Sequence, residues 1–218
     1  MTKVAVVISG CGFLDGTEIY ESVFTLLELD RHHAQVKIFA PDLKQTRVVN
    51  HLTGQEVNQE RNVLVESARI ARGKIQPLDQ LNVQEFDALI LPGGYGAATN
   101  LSDVASKNAN AHVIDSLETT IHKFNMAAKP IGAMCIAPAL LAIAFKNKTQ
   151  IKVTLGDSNP LISQAGALEE ICKADEIAID EANKIITTPA FMLDAPITKI
   201  HLGISKLVSK VLEMSTHR

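Results

Sequence analysis

The segment Pro130-Ile-Gly-Ala-Met-Cys-Ile-Ala-Pro138 joins a short apolar strand directly to a helix. Ile131 to Met134 shows no polar alternation, the pattern of a strand whose two faces are both covered. Ala137 to Phe145 then reads as the helix that follows it. A strand of this kind belongs to a parallel sheet, because only crossover helices cover both faces of a sheet at once. The same segment begins the longest stretch without Asp, Glu, Lys or Arg, Pro130 to Phe145. At sixteen residues, broken by Pro and Gly, it is too short to span a membrane.

Working outward, the same unit repeats. Val4 to Ile8 is a first strand, and helix 1 follows with Ile19, Val23, Leu26 and Leu27 on one face. Gln35 to Ala40 is a second strand, ended by Pro41-Asp42. Ala88 to Leu91 is a third, stopped by Pro92-Gly93-Gly94. Val113, Leu117, Ile121 and Phe124 form the stripe of the helix before Pro130. Ile151 to Leu155 continues the strand pattern. Glu176 to Ile179 and Lys184 to Thr188 are expected to pair around a turn at Asp180 to Asn183. Ile197, Ile200, Ile204, Leu207, Val208 and Val211 recur at threes and fours, predicting a terminal helix. No repeat or Pro/Gly/Ser linker intervenes, so residues 1–218 are expected to form one doubly wound α/β domain.

The chain carries 21 Lys+Arg against 24 Asp+Glu, a formal charge of −3. That balance leaves no electrostatic footprint for nucleic acid and no polybasic membrane signal. The start lacks the apolar region and cleavage site of a secretory signal. Three cysteines, without metal-ligand spacing, argue against a disulfide framework and for a reducing, cytoplasmic setting.

Ligands of open parallel sheets bind beyond the carboxyl ends of the strands. Four such ends carry unusual residues: Ser9-Gly-Cys-Gly12, Pro92-Gly-Gly94, Cys135-Ile-Ala137 and Gly156-Asp157. Cys135 stands at a strand-to-helix junction with Ala133 and Ala137 two residues either side. Those are the small-residue offsets of a strained nucleophile elbow. A helix N-terminus also favours thiolate. Two readings fit the residue alone, a nucleophile and a small buried core cysteine.

The glycines after Leu91 either free backbone N–H groups for an oxyanion or make a tight turn. Gly10, Gly12 and Gly16 miss the dinucleotide fingerprint by one residue. Glu18 and Glu21 open helix 1, where acids either complement the dipole or project toward Cys135. Histidine offers no obvious base. His112, His122 and His201 are placed on helices, His32 and His33 close helix 1, His217 lies in the tail, and His51 sits in a loop. Cys172 has no motif and reads as structural.

Taken together, these motifs resemble the ElbB-type, "enhancing lycopene biosynthesis" branch of the class I glutamine amidotransferase-like, PfpI-related superfamily. The branch-specific blocks are Ser9-Gly-Cys-Gly-Phe-Leu-Asp-Gly-Thr-Glu-Ile-Tyr-Glu21 and Arg61-Asn-Val-Leu-Val-Glu-Ser-Ala-Arg-Ile-Ala-Arg-Gly73. Superfamily blocks are Leu91-Pro-Gly-Gly-Tyr-Gly-Ala-Ala98 and Lys129-Pro-Ile-Gly-Ala-Met-Cys-Ile-Ala-Pro138. Phe39-Ala-Pro-Asp42, Asn50-His-Leu-Thr-Gly54, Asn100-Leu-Ser102 and Thr187-Thr-Pro-Ala-Phe-Met192 also match. The match runs from the first strand almost to the last helix.

The resemblance implies a flavodoxin-like fold with a cysteine elbow, often as a homodimer. It implies a glyoxalase, a lyase making glycolate from glyoxal without glutathione, metal or organic cofactor, with links to deglycation and isoprenoid biosynthesis. Carried over by position, Cys135 is the nucleophile, Glu21 the acid beside it, and Gly94 and Ile136 the oxyanion-hole donors. Proteases and amidotransferases of the superfamily place a His just after the nucleophile or later in a triad. Here Ile136 follows Cys135, and the deglycase His region reads Thr154-Leu-Gly-Asp-Ser158. A slow glyoxalase acting on small dicarbonyls is therefore the activity implied. The competing reading is a redox sensor or binding protein, with Cys135 as an accessible low-pKa thiol and Cys11 as a possible second thiol.

Overall fold

The computed structural model describes residues 1–216; His217 lies outside the described residues. From the amino end come β1 (Lys3–Val7), α1 (Ile19–Arg31), β2 (Gln35–Ala40) and a hairpin of β3 (Val49–Asn50) and β4 (Gln55–Glu56). Next come α2 (Val63–Ile70), β5 (Ile75–Pro77), β6 (Ala88–Leu91), α3 (Tyr95–Thr99), α4 (Val104–Lys107) and α5 (Asp115–Met126). The elbow strand β7 (Ile131–Met134) and helix α6 (Ala137–Ala144) precede β8 (Lys152–Gly156), α7 (Pro160–Gln164) and β9 (Leu168–Ile171). The chain closes with β10 (Ala178–Asp180), β11 (Ile185–Thr188) and α8 (Ile197–Thr216).

Seven strands form the central sheet in the order β10-β11-β7-β6-β1-β2-β5, parallel except for the β10–β11 pair. This is the mostly parallel, flavodoxin-like α/β architecture that the strand pattern and the resemblance implied. The absence of alternation has a direct cause. On one face Ala5, Val7, Leu89, Leu91, Ile131 and Ala133 pack with Leu117, Ile121 and Phe124 of α5 and Leu140 and Leu141 of α6. On the other, Val4, Val6, Ala88, Ile90 and Met134 meet Leu29 of α1 and Ile200, Ile204, Leu207, Val208 and Val211 of α8. Each buried Val, Leu, Ile, Met or Phe among them contributes roughly 1.5–3 kcal/mol by leaving water.

Three expectations need correction. β8 does not extend the central sheet. It pairs in parallel with β9 and is fastened to the sheet through side chains, Thr154 N donating to Thr187 Oγ1 (2.9 Å) and Lys152 N to Asp180 Oδ2 (2.8 Å). Side-chain acceptors satisfy its amides where a ladder would have. The strand expected over Glu176 to Ile179 is β10, which starts only at Ala178. His112 lies in the loop before α5 rather than on a helix.

The hairpin β3–β4, helix α2 and edge strand β5 have no counterpart in the sequence reading. β5 is three residues long, and α2 is capped by Asn62, whose side chain accepts from Val65 N at 3.0 Å. Among the described residues no helix is long and apolar enough to cross a membrane.

Candidate active site

The candidate site is assembled where β1, β6 and β7 end side by side on the sheet. β7 runs into α6 through Cys135, whose φ of 58° lies in the left-handed region. A side chain held there costs about 1–3 kcal/mol and persists because its surroundings fix it. Cys135 N donates to Thr188 O on the neighbouring β11 at 3.1 Å, and Ala133 and Ala137 are fully buried beside it. The elbow therefore presents the thiol to the space above the sheet, at the floor of a pocket of about 410 Å³.

The turn after β6 is shaped around that thiol. A methyl group on Gly93 would collide with Cys135 Cβ and lie 3.0 Å from its sulfur. Gly94 has φ 91°, and a methyl there would collide with Glu18 N and sit 2.5 Å from Gly16 O. Only glycines let this loop close over the elbow. With the loop in place, the backbone N–H groups of Gly94 and Ile136 both hydrogen-bond the Cys135 sulfur.

Helix α1 supplies the carboxylates. Glu18 is its N-cap, its Oε2 accepting from Glu21 N at 2.6 Å. Glu21, the third residue of α1, is fully buried and hydrogen-bonded to the Cys135 side chain. Its Oε2 accepts from Gly93 N (2.8 Å) and its Oε1 from Phe191 N (3.4 Å). Burial, reinforced by the charge of Glu18, pushes the Glu21 carboxyl up to about 8, against the lowering effect of those amides. Glu18 is itself raised by burial.

The thiol differs from expectation. The helix N-terminus was expected to favour thiolate, yet Cys135 is raised well above its ordinary value. Burial is the largest cause and the Glu21 carboxylate the next, and together they outweigh the amides of Gly94 and Ile136. Two adjacent buried acids cannot both ionise cheaply, so the pair holds at least one proton through neutral pH.

Cys135, Glu21, Gly94 and Ile136 thus come together as expected from position. Cys11 does not join them. It is half-buried outside the pocket lining, and the charges acting on it are Glu66, Arg69, Asp15 and Arg61. The misspaced glycine loop serves its own closure, with Ser9 N donating to Thr17 Oγ1 at 2.5 Å and Gly16 N to Gly12 O at 2.6 Å. His51 stands over that loop, where its Nε2 accepts from Leu14 N at 3.3 Å.

Cys172 is buried against the Thr154 side chain. Among the described residues no group of three His, Cys, Asp or Glu is placed to hold a metal ion. Phe13, Tyr95, Asn159, Leu161, Phe191 and Met192 also line the pocket and were not singled out from sequence. Phe13, Tyr95, Phe191 and Met192 fall within the blocks that carry the family resemblance, whereas Asn159 and Leu161 follow the strand end at Gly156-Asp157 without a motif of their own.

Comparison with known proteins agrees with this architecture. Residues 3–154 match the DJ-1/PfpI family. The rat mitochondrial ES1 protein homolog (Rattus norvegicus) is 43% identical over 226 residues, covering 98% of this chain and 84% of the relative. Human mitochondrial glutamine amidotransferase-like class 1 domain-containing protein 3 (Homo sapiens) is also 43% identical, covering 98% and 83%. A crystal structure of an isoprenoid biosynthesis protein with an amidotransferase-like domain from Ehrlichia chaffeensis superposes with a TM-score of 0.94 at 39% identity. It covers 98% of this chain and 99% of that one. The chain belongs to the DJ-1/PfpI family.

Proposed function

We propose that this DJ-1/PfpI family member is a glutathione-independent glyoxalase of the ElbB-type branch, converting glyoxal to glycolate through Cys135. The observation that carries this reading is the buried, hydrogen-bonded Glu21–Cys135 pair at the floor of a pocket, with two backbone donors at the sulfur.

The chemistry follows from the shared proton. Once the pair has lost one proton, moving the other from sulfur to carboxylate creates thiolate beside a neutral acid without changing the buried charge. The thiolate attacks one aldehyde carbon of glyoxal, forming a carbon–sulfur bond while the carbonyl π electrons pass to oxygen. The N–H groups of Gly94 and Ile136, which meet the sulfur in the free site, stabilise that developing oxyanion. Glu21 protonates it to a hemithioacetal.

Glu21, now a carboxylate with a pKa near the working pH, removes the proton from the attacked carbon and returns one to the neighbouring carbon. The first carbon is oxidised to a thioester as the second is reduced to a carbinol, so no external oxidant or reductant enters. Water cleaves the carbon–sulfur bond, releasing glycolate and restoring the thiol. Neither glutathione nor a bound cofactor takes part in these steps.

A peroxide-sensing thiol is less well supported, because oxidation favours exposed, low-pKa cysteines and Cys135 is buried and raised. The test is glyoxal loss and glycolate formation by rigorously purified protein. Cys135→Ser is expected to remove at least about 100-fold of the turnover, as loss of a nucleophile does. Unchanged glyoxal consumption by that variant defeats the proposal.

A further inference from the structure

The pocket is far larger than a two-carbon dicarbonyl needs, and its surplus has a definite chemistry. Its volume of about 410 Å³ falls in the range that encloses drug-sized ligands. Above the thiol the wall is built from Ile136, Leu161, Phe191, Phe13, Tyr95 and Met192. Three of these remain open to solvent, Phe13 at 54%, Tyr95 at 41% and Met192 at 36% exposure. Large apolar side chains left exposed around one opening mark a surface kept for an apolar ligand.

The charge of the lining points the same way. No Lys, Arg or His contributes to it. Arg47 lies over the Tyr95 ring at 5.2 Å and is ion-paired with Glu56 at 3.2 Å, so its charge is already matched. The ionisable side chains in or beneath the lining are Glu18, Glu21, Cys135 and the Tyr95 phenol, all acids and none a cation. Asn159 and Asn108 are neutral, and the Asn159 carbonyl oxygen is taken by Leu161 N at 3.1 Å. A carboxylate entering here would lose its hydration beside acids and find no cation, an uncompensated burial of charge.

We propose that this pocket selects uncharged α-oxoaldehydes bearing a bulky apolar group, aryl or branched alkyl, over both glyoxal and carboxylate-bearing analogues. The proposal rests on the glyoxalase reading for its chemistry, in which an aryl oxoaldehyde plus water gives the aryl 2-hydroxy acid by the same redox-neutral steps. Its selectivity stands on the pocket wall alone.

Two measurements on the full chain test it. In the first, Cys135→Ser protein is titrated by calorimetry at neutral pH with methyl benzoylformate and with benzoylformate, which share a skeleton and differ in charge. Saturable binding of the ester, at least about tenfold tighter than the acid, is expected. Equal affinity, or no saturable binding of either, overturns the proposal.

In the second, wild-type kcat/KM for phenylglyoxal is expected to exceed that for glyoxal by at least about tenfold. Ala105→Trp, on the exposed side of the pocket wall, is expected to lower that ratio about tenfold by occupying the space of the ring. Equal kcat/KM values, or a ratio that Ala105→Trp leaves untouched, overturn it. Failure to turn over either aldehyde while the ester still binds preferentially would defeat the glyoxalase reading and leave the pocket selectivity standing.

Discussion

Replacing Glu21 by Gln isolates the cost of burying its charge. The carboxyl has an ordinary value of 4.5 in the unfolded chain and is pushed to about 8 in the folded one, chiefly by burial. Between those values the folded protein holds a proton that the unfolded chain has released. Stability is therefore full below about 4.5 and falls as pH rises through about 8. At about 1.4 kcal/mol per unit, the total loss is at most about 5 kcal/mol. Glu21→Gln keeps the shape and an acceptor for Gly93 N but has nothing to ionise. At low pH the variant should be slightly less stable than wild type, by about 1 kcal/mol, because its amide opposes Phe191 N instead of accepting from it. That deficit should be overtaken within about one pH unit above 4.5, so the order should reverse at about pH 5 to 6 and the difference should level off above about 8.

Urea unfolding followed by far-ultraviolet circular dichroism, at fixed protein concentration from acid to mildly alkaline pH, gives both curves. The difference should widen in the variant's favour with a slope approaching 1.4 kcal/mol per pH unit. Parallel curves would show that Glu21 ionises as freely in the fold as out of it, and the shared-proton argument would fail with them.

The same pair sets the pH dependence of turnover: kcat/KM for glyoxal should rise about tenfold per unit below pH 8 and level off above it. A profile flat from pH 6 to 9 would contradict this. Gly94→Ala should destabilise the protein by about 2 kcal/mol or more, read as a lowered urea midpoint, since both its φ of 91° and the approach of Glu18 N exclude a methyl group. Glu28, buried between α1 and α8, behaves oppositely to Glu21. Burial alone would raise it, but hydrogen bonds from His201 (2.8 Å) and Ser205 (3.0 Å), with the charge of Arg31, hold it below its ordinary value. Glu28→Gln should therefore cost about 1–3 kcal/mol at neutral pH, a difference that fades as pH falls below about 4.5.

The parts of the fold that the sequence announced are those buried on both sides. Val4 to Val7, Ala88 to Leu91 and Ile131 to Met134 must be apolar at every position because helices cover each face, and the stripe of α8 must recur at threes and fours to lie on β7 and β11. β5 escapes notice because an edge strand of three half-exposed residues carries little hydrophobic constraint. β8 misleads for a related reason. Its Val153 and Leu155 are as buried as those of a central strand, yet that burial comes from packing beside β11, which periodicity cannot distinguish from pairing.

At the site, residue type and offset placed Cys135, Glu21, Gly94 and Ile136 in one neighbourhood, but not the sign of the thiol's shift. A helix N-terminus was visible in the chain; the complete burial of Glu21 was not, since nothing in Thr17-Glu-Ile-Tyr-Glu21 separates a carboxylate turned toward solvent from one turned beneath Gly93. The difference is whether the loop after β6 closes over α1, and that depends on contacts between residues seventy positions apart. That closure also delivers the Gly94 N–H to the sulfur, where it lowers the thiol's pKa against burial and the Glu21 carboxylate. Opening the loop would take the Gly93 N–H from the Glu21 carboxylate and, in the same movement, withdraw the Gly94 donor that a thiolate or an oxyanion needs.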